Sequence, residues 1–575
     1  MLHILIGGAG CGKSTCLIQH LQKQLEAGEQ ILTLVPEQFS YEFDQKLYRI
    51  LGPVAFNQLE THSFKSLARA VFQRFGCVPD GKTNADELTK MALLYQAVLQ
   101  VSEREKKLQL LGKQCRQASF ISELAMMFTQ FRRSGIPPEQ LYNSSAELNG
   151  RLQEKMLDVF EIYQRYDRLL EQHQLKDTET DLSEAAAIAN GHDAFLGDVI
   201  FLDEFESFTE DEYQMLSVLL SSGKDLYIAL RMEHTRKEPF SLFAAVQETF
   251  CKIQDMAKKL RIPVETEVCD TPYRFQAAEL SWLNQHVFRN TQPFSGEAPH
   301  LHILEAQSPT EEVDYVCATI RRLLAKDHTL RCRDIAVLSN QMTDYRSILE
   351  TAMERYKLPY YMDEKESMLY TPLLVYLHTL LGILRQTRPD TELLMRLGKT
   401  GLTSCSVEEI SDLENYCYMW QIDGKTWNTP FTAGNFASAE AVRLKLLTPL
   451  QELREKLKGQ HTGAEFCSML YQFLTEQQVE EQLNRQLKVI ADEQKRMQTS
   501  EEWALVWNSF IDILEHLSTL YRTLEMEFSE FSTVFAALTG NIQRATPPRT
   551  LDAVLISQGS TARLNAPKIV FLLGV

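Results

Sequence analysis

The stretch Leu2-His3-Ile4-Leu5-Ile6-Gly7-Gly8-Ala9-Gly10-Cys11-Gly12-Lys13-Ser14-Thr15 decides the fold class. Leu2–Ile6 predicts a short apolar strand. Lys13 to Ala27 predicts a helix with Cys16, Leu17, Leu21 and Leu25 on one face and Gly28 as its stop. The residues between them carry the pattern G-x-x-x-x-G-K-[ST] in the strand-to-helix setting that a P-loop requires. Successive backbone N–H groups at the start of the helix form a positively polarised cradle for phosphates. Gly7, Gly8, Ala9, Gly10, Cys11, Gly12, Lys13, Ser14 and Thr15 are therefore the expected nucleotide-binding residues. Lys13 would reach the β- and γ-phosphates of ATP, and Ser14 would hold Mg²⁺. The competing reading, a glycine-rich turn that merely joins strand to helix, does not need a lysine and a hydroxyl at its end.

Working outward, Ile31–Val35 reads as a second strand ended by Pro36, so strand, helix and strand form a βαβ unit and a parallel sheet. Leu59–Thr61 reads as a short strand followed by a helix from Phe64 to about Phe75. From about Asp86 to about Ala189 the pattern is helical, broken at Gly135-Ile136-Pro137-Pro138. Strands return at Val199–Leu202 and Leu226–Leu230, with a helix over Glu210–Leu220 between them. A second α/β pattern follows: a strand at Leu301–Glu305, a helix at Glu311–Ala325 and a strand at Asp334–Leu338. Another helical region fills about Pro372 to Ser532, and strands are expected at Ala553–Ile556 and Ile569–Leu573.

The expected fold is α/β, with two RecA-like parallel-sheet P-loop domains that each carry a helical insertion. The first domain takes 1–85 and 191–295 around an insertion at 86–190. The second takes 296–371 and 546–575 around an insertion at 372–545. No internal repeat and no low-complexity segment is visible. The last residues, Val570 to Val575, are apolar and end in mid-element, from which a longer parent chain is expected.

Composition sets bounds on function. At 575 residues the chain is too long for one core. Its net charge of −18 excludes a generally basic surface and leaves nucleic acid to a local basic groove. The eleven cysteines show no C-x-x-C pair and no Cys/His spacing of a zinc or iron–sulfur site, so reduced, mostly buried thiols are expected. The longest apolar run, Thr371 to Leu384, contains His378 and falls short of the ~20 residues that span a bilayer. It predicts a buried helix in a protein of the cytoplasm without a membrane partner.

A P-loop enzyme also needs an acid at the tip of a neighbouring apolar strand. Val199-Ile200-Phe201-Leu202-Asp203-Glu204 has that form: Asp203 would hold the metal with Ser14, and Glu204 would orient the attacking water. The alternative is a solvated acidic turn, since Glu206, Glu210, Asp211 and Glu212 follow closely. Val35-Pro36-Glu37-Gln38-Phe39-Ser40-Tyr41 and Thr61-His62-Ser63-Phe64-Lys65-Ser66 lie at strand exits, where parallel sheets bind ligands. Their hydroxyls, amides and aromatics suit stacking on single-stranded bases, with core packing as the competing role for Phe39 and Phe64.

The order of P-loop, V-P-E-Q-F, T-x-S-F, helical insert, L-D-E-F-x-x-F-T, second α/β domain and second helical insert resembles the AddB family, relatives of the UvrD-like superfamily I helicases. The most specific pieces are Leu34–Gln38, Thr61–Ala68, Ile200–Thr209, Asp334–Leu338 with Leu358-Pro359-Tyr360-Tyr361, and Lys568–Val575. The resemblance implies the B subunit of a bacterial helicase–nuclease that repairs double-strand breaks by homologous recombination. It further implies an AddA-type partner in a heterodimer, DNA ends and single-stranded DNA as ligands, and the scanning of one strand for a recombination signal. A C-terminal nuclease domain tied by an iron–sulfur cluster is implied for the full-length chain, beyond Val575. On the same basis Gln38, Ser40, Ser63 and Phe64 would face the scanned strand, with Phe205 and Phe208 after the acidic tip. Lys65, Arg69, Arg132 and Arg133 are the candidates for phosphate contact.

Two departures separate this chain from motor helicases. The strand Leu226–Arg231 lacks the G-D-x-x-Q segment, and Ser339-Asn340-Gln341 stands where motors carry an arginine that neutralises the γ-phosphate. ATP binding with at most weak hydrolysis is therefore expected. The competing readings are an autonomous superfamily I helicase, disfavoured by those departures, and a non-catalytic scaffold with a vestigial P-loop, disfavoured by Lys13-Ser14 and Asp203-Glu204.

Overall fold

The computed structural model describes residues 1–575 except 58, 77–81, 105–106, 113, 115–117, 147, 237–240, 272, 288–292, 364, 493–496, 541, 546–551, 561, 563 and 565–566. The opening of the last expected segment, 546–551, thus lies outside the described residues. The chain is mixed α/β, with two main parallel sheets and many helices.

The first sheet has six strands: β1 (Leu2–Gly7), β2 (Ile31–Leu34), β3 (Glu60–His62), β6 (Val199–Leu202), β7 (Asp225–Arg231) and β8 (Val264–Val268). Their order is β3-β2-β6-β7-β1-β8, and every pairing is parallel. The strands β4 (Thr83–Asn84) and β5 (Leu175–Lys176) form a separate two-stranded pair. Alternation along the strands divides the first sheet's side chains between two buried faces. Leu2, Ile4 and Ile6 join Ile200, Leu202, Ile228 and Leu230 in one core. Leu5, Phe201, Tyr227 and Ala229 join the other, against Leu17, Ile18 and Leu21 of α1 (Lys13–Glu26) and Phe43 and Leu47 of α2 (Ser40–Phe56).

The second sheet is assembled from β9 (Ile335–Ser339), β10 (Tyr360–Met362), β15 (Val554–Gln558) and β16 (Ile569–Leu573) in the order β10-β15-β9-β16, again all parallel. Between these lie two antiparallel pairs, β11 (Lys365–Ser367) with β14 (Gln543–Ala545) and β12 (Gln460–Thr462) with β13 (Glu525–Glu527). The expected strand at Leu301–Glu305 is absent: the segment has no strand pairing and Ile303 is 93% exposed. Apolar alternation marks a segment able to pair, but only a neighbouring ladder makes it a strand. The expected helix over the apolar run is present as Pro372–Arg385, with His378 beside the Thr539 hydroxyl at 2.9 Å.

The two helical stretches share one hydrophobic core. Leu93, Tyr95, Tyr163 and Tyr166 of the first lie in the same cluster as Leu377, Phe510, Tyr521 and Phe535 of the second. Tyr95 donates to the Glu530 carbonyl at 3.2 Å and Tyr521 to that of Ala92, so the contact is fixed by polar as well as apolar groups. Among the described residues no helix is long and apolar enough to cross a membrane, and no disulfide is present.

Candidate nucleotide site at the strand ends

The parallel strands of the first sheet bring their carboxyl ends to one edge. That edge gathers the loop after β1, Pro36–Ser40 after β2, Ser63 and Phe64 after β3, Asp203 and Glu204 after β6, and Arg231 at the end of β7. The glycine loop closes onto α1 through Gly12, whose φ of 80° is left-handed and open to glycine at little cost. Lys13 curls back, donating from Nζ to the Gly8 carbonyl at 2.7 Å. Burial, and then the Arg231 cation, pull its pKa below the usual lysine range. Thr15 is exposed, while Gly8 is buried and Ala9, Gly10 and Cys11 are half-buried.

Asp203 is buried at the tip of β6. One carboxylate oxygen, Oδ1, accepts the Glu204 N–H at 2.9 Å. The other, Oδ2, is buried with no completed hydrogen bond, although the Ser14 hydroxyl lies close enough to favour the ionised form. Burial, and then the Glu204 carboxylate, push the Asp203 pKa up to about 6. An acid held in this way, with a free oxygen beside a hydroxyl, fits a hard cation, which takes oxygen ligands and keeps several waters. Glu204 adopts φ 63°, an uncommon left-handed conformation for a non-glycine residue, and its carboxylate lies 3.9 Å from Arg231. Arg231 also approaches Glu206 at 3.5 Å.

A contributor that the sequence reading missed covers the loop. The chain leaving β8 runs over the P-loop, where the N–H groups of Tyr273 and Arg274 both donate to the Gly10 carbonyl, at 3.0 and 3.2 Å. A Cβ on Gly12 would meet the Tyr273 ring at 3.0 Å, and one on Gly10 would meet Arg274 Cβ at 2.5 Å, so these two positions need glycine for close approach. The Tyr273 ring is 71% exposed, a free aromatic face at the mouth of the loop. Its sequence signal is an aromatic–basic pair after a proline, far from the motif it serves.

The expected DNA-contacting residues separate into two groups. Gln38 is exposed on the segment after β2, and Ser40 is half-buried with its hydroxyl on the Glu37 carbonyl at 3.0 Å. By contrast Phe64, Phe205 and Phe208 are buried and pack on one another, with ring centroids 4.9–5.9 Å apart. They offer no face to a base, and the stacking role expected for them is replaced by core packing. Ser63 caps α3 (Phe64–Phe75) in a reciprocal box with Ser66, which occupies its hydroxyl. Among the basic candidates, Lys65 and Arg69 are exposed on α3. Arg132 is instead largely buried against Asp167 and Asp177 and over the rings of Tyr163 and Tyr166, and Arg133 pairs with Glu179 at 2.7 Å. Arg132 is therefore a structural ion-pair partner and not a free phosphate contact.

Residues 4–284 match the family described as ADDB, N-terminal. Curated relatives, each named as the B subunit of an ATP-dependent helicase/deoxyribonuclease, match throughout. The protein of Clostridium novyi is 25% identical over 586 residues, covering 99% of this chain and 51% of the relative. That of Clostridium tetani is 26% identical over 611 residues, covering all of this chain and 52% of the relative. That of Acetivibrio thermocellus is 25% identical over 601 residues with the same coverage. The chain spans about half the length of the curated relatives it matches.

Proposed function

Because the chain belongs to the AddB family, we propose that it is the ATP- and DNA-binding part of a helicase–nuclease subunit acting in double-strand-break repair by recombination in the cytoplasm. The observation that carries the nucleotide reading is the buried Asp203 Oδ2 without a hydrogen-bond partner, beside Ser14 and below the P-loop. Ser14 and Asp203 would hold magnesium, which when bound offsets phosphate charge. The loop N–H groups and Lys13, swung from Gly8, would hold the phosphates. Tyr273 would stack on the base, as a free aromatic ring beside such a loop suits.

In this reading the two parallel sheets are two RecA-like domains, and Glu204 is the residue that would orient a hydrolytic water. Its position 3.9 Å from Arg231, together with Asn340 after β9, supports weak turnover. The subunit would bind ATP without being an autonomous motor, and an AddA-type partner would supply translocation. DNA would cross the strand ends at Gln38 and Ser40, with Lys65 and Arg69 on phosphates. Gln38 would read the recombination signal. The deoxyribonuclease activity and iron–sulfur cluster belong, in this reading, to the half of the family's length that the chain does not span.

The DNA part is tested by binding to a duplex end with a single-stranded tail across a salt series. Affinity should fall steeply with salt, and Lys65→Ala with Arg69→Ala should flatten the slope by about one unit per lost phosphate contact. Absence of binding at low salt would refute it.

A further inference from the structure

We propose that Cys16, His20, Glu267 and Cys269 form a binding site for a soft divalent metal ion such as zinc, where the P-loop helix meets the edge strand of the first sheet. Cys16 and His20 stand one turn apart on α1 and so share a face. Glu267 lies in β8, and Cys269 follows two residues later, with its N–H continuing the ladder to the Ile6 carbonyl at 2.7 Å. The extended chain therefore turns both side chains to one side.

The groups already converge. Glu267 accepts from the Cys16 thiol at 3.3 Å through Oε1 and meets His20 Nε2 at 3.0 Å through Oε2. One ligand atom from each of Cys16, His20 and Glu267 lies within 4.8 Å of the others, and the Cys269 thiol lies against Cys16. Zn–S and Zn–N bonds of about 2.3 and 2.0 Å place tetrahedral ligands roughly 3.3–3.8 Å apart. Cys16, His20 and Glu267 would thus close by about 1–1.5 Å at most, and Cys269, which stands outside that group of three, would swing in as the fourth ligand.

Thiolate, imidazole and carboxylate are the donor set of zinc and not of magnesium. The imidazole is oriented from behind by stacking on Tyr227, with centroids 5.3 Å apart. Each thiol binds as the thiolate, its proton leaving to water as the sulfur–metal bond forms. Magnesium at Ser14 and Asp203 would use none of these atoms.

The place gives the metal a consequence. The chain beyond Cys269 is the segment whose Tyr273 and Arg274 bond to Gly10. A metal bridging α1 to that segment's root would fix the cover over the nucleotide loop.

Cobalt(II) added to the reduced, purified chain reports the site through its thiolate charge-transfer and tetrahedral visible bands, and zinc displaces it stoichiometrically. We expect one equivalent per chain. Cys16→Ser should roughly halve the thiolate band, leaving the share that comes from Cys269, and Glu267→Gln should weaken affinity at least tenfold. Replacing the exposed Cys251 with serine should change nothing. Melting curves without metal check the fold of each variant, and Glu267→Gln, an exposed position, decides should Cys16→Ser fail to fold. Absence of a tetrahedral band in the wild type, or an equal band and affinity in wild type and Glu267→Gln, would overturn the proposal.

Discussion

Replacing Asp203 by asparagine should stabilise the protein while damaging its proposed magnesium site. The burial and the Glu204 charge that raise the Asp203 pKa from 3.8 to about 6 work against its ionised form in the fold. That rise, from 3.8 to about 6, corresponds to about 3 kcal/mol at a pH above both values. The sign follows from the raised pKa. The folded state holds the proton more tightly than the unfolded state, so the group's contribution is fully present below about pH 4 and is lost as pH rises through about 6. Asparagine keeps the acceptor for the Glu204 N–H and removes the charge. It also leaves a buried amide beside Ser14, at a cost of about 1–3 kcal/mol if unpaired. A net gain of about 0–2 kcal/mol is therefore expected at pH 8 in the presence of a chelator, read as a midpoint in denaturant equal to or above that of the wild type, with an unchanged slope. The difference between variant and wild type should grow from about pH 4 to about pH 6 and level off above about pH 7. Excess Mg-ATP should reverse the order, because it would stabilise the wild type far more. If the variant were less stable than the wild type at pH 8 without ligand, or if the difference did not depend on pH, the account of Asp203 as a strained metal ligand would fail.

The other expectations are more local. Phe64→Ala should cost about 3–5 kcal/mol, because Phe64 is buried against Phe205 and Phe208; a melting curve checks it, and an unchanged midpoint would return Phe64 to the DNA surface. Gln38→Ala should leave stability within about 0.5 kcal/mol and remove signal-dependent pausing in the assembled complex, with general DNA-end binding retained. Tyr273→Ala should weaken ATP binding several-fold and Tyr273→Phe should not, measured by competition against a fluorescent analogue. The full-length subunit, free of its partner, should not displace a strand in an ATP-dependent unwinding assay.

The sheet was legible where strands are buried on both faces. Leu2–Gly7, Ile31–Leu34 and Val199–Leu202 are short segments dominated by branched apolar residues, and the fold places all three in the first sheet. β8 was not legible, because Val-Glu-Thr-Glu-Val lies at the sheet edge, where charge is tolerated and discourages further pairing. α2 was hidden by Gly52, at φ 79°, and Pro53, which break its helical pattern from within. Local pattern likewise could not say that the two helical stretches share a core, since that depends on contacts hundreds of residues apart, such as Tyr521 with Ala92.

The site divides in the same way. Loop, lysine and acidic tip are contiguous motifs and could be read directly. Whether an aromatic beside such a motif faces a ligand or the core could not, because Phe64 and Tyr273 are both aromatic and only the fold buries one and exposes the other. The cluster of Cys16, His20 and Glu267 joins one helix face to a strand some 250 residues away, which no spacing rule covers.

The central claim, that the first sheet carries a working ATP site, is most directly tested by equilibrium binding of a fluorescent ATP analogue with magnesium to the wild type and to Lys13→Ala. Among the described residues Lys13 donates to the loop's own Gly8 carbonyl and lies in none of the hydrophobic cores, so the variant should fold normally. The account predicts saturable, magnesium-dependent binding by the wild type, and an affinity lowered by at least tenfold in the variant with an unchanged melting curve. Equal affinity in the two proteins, or no binding by either, would contradict it.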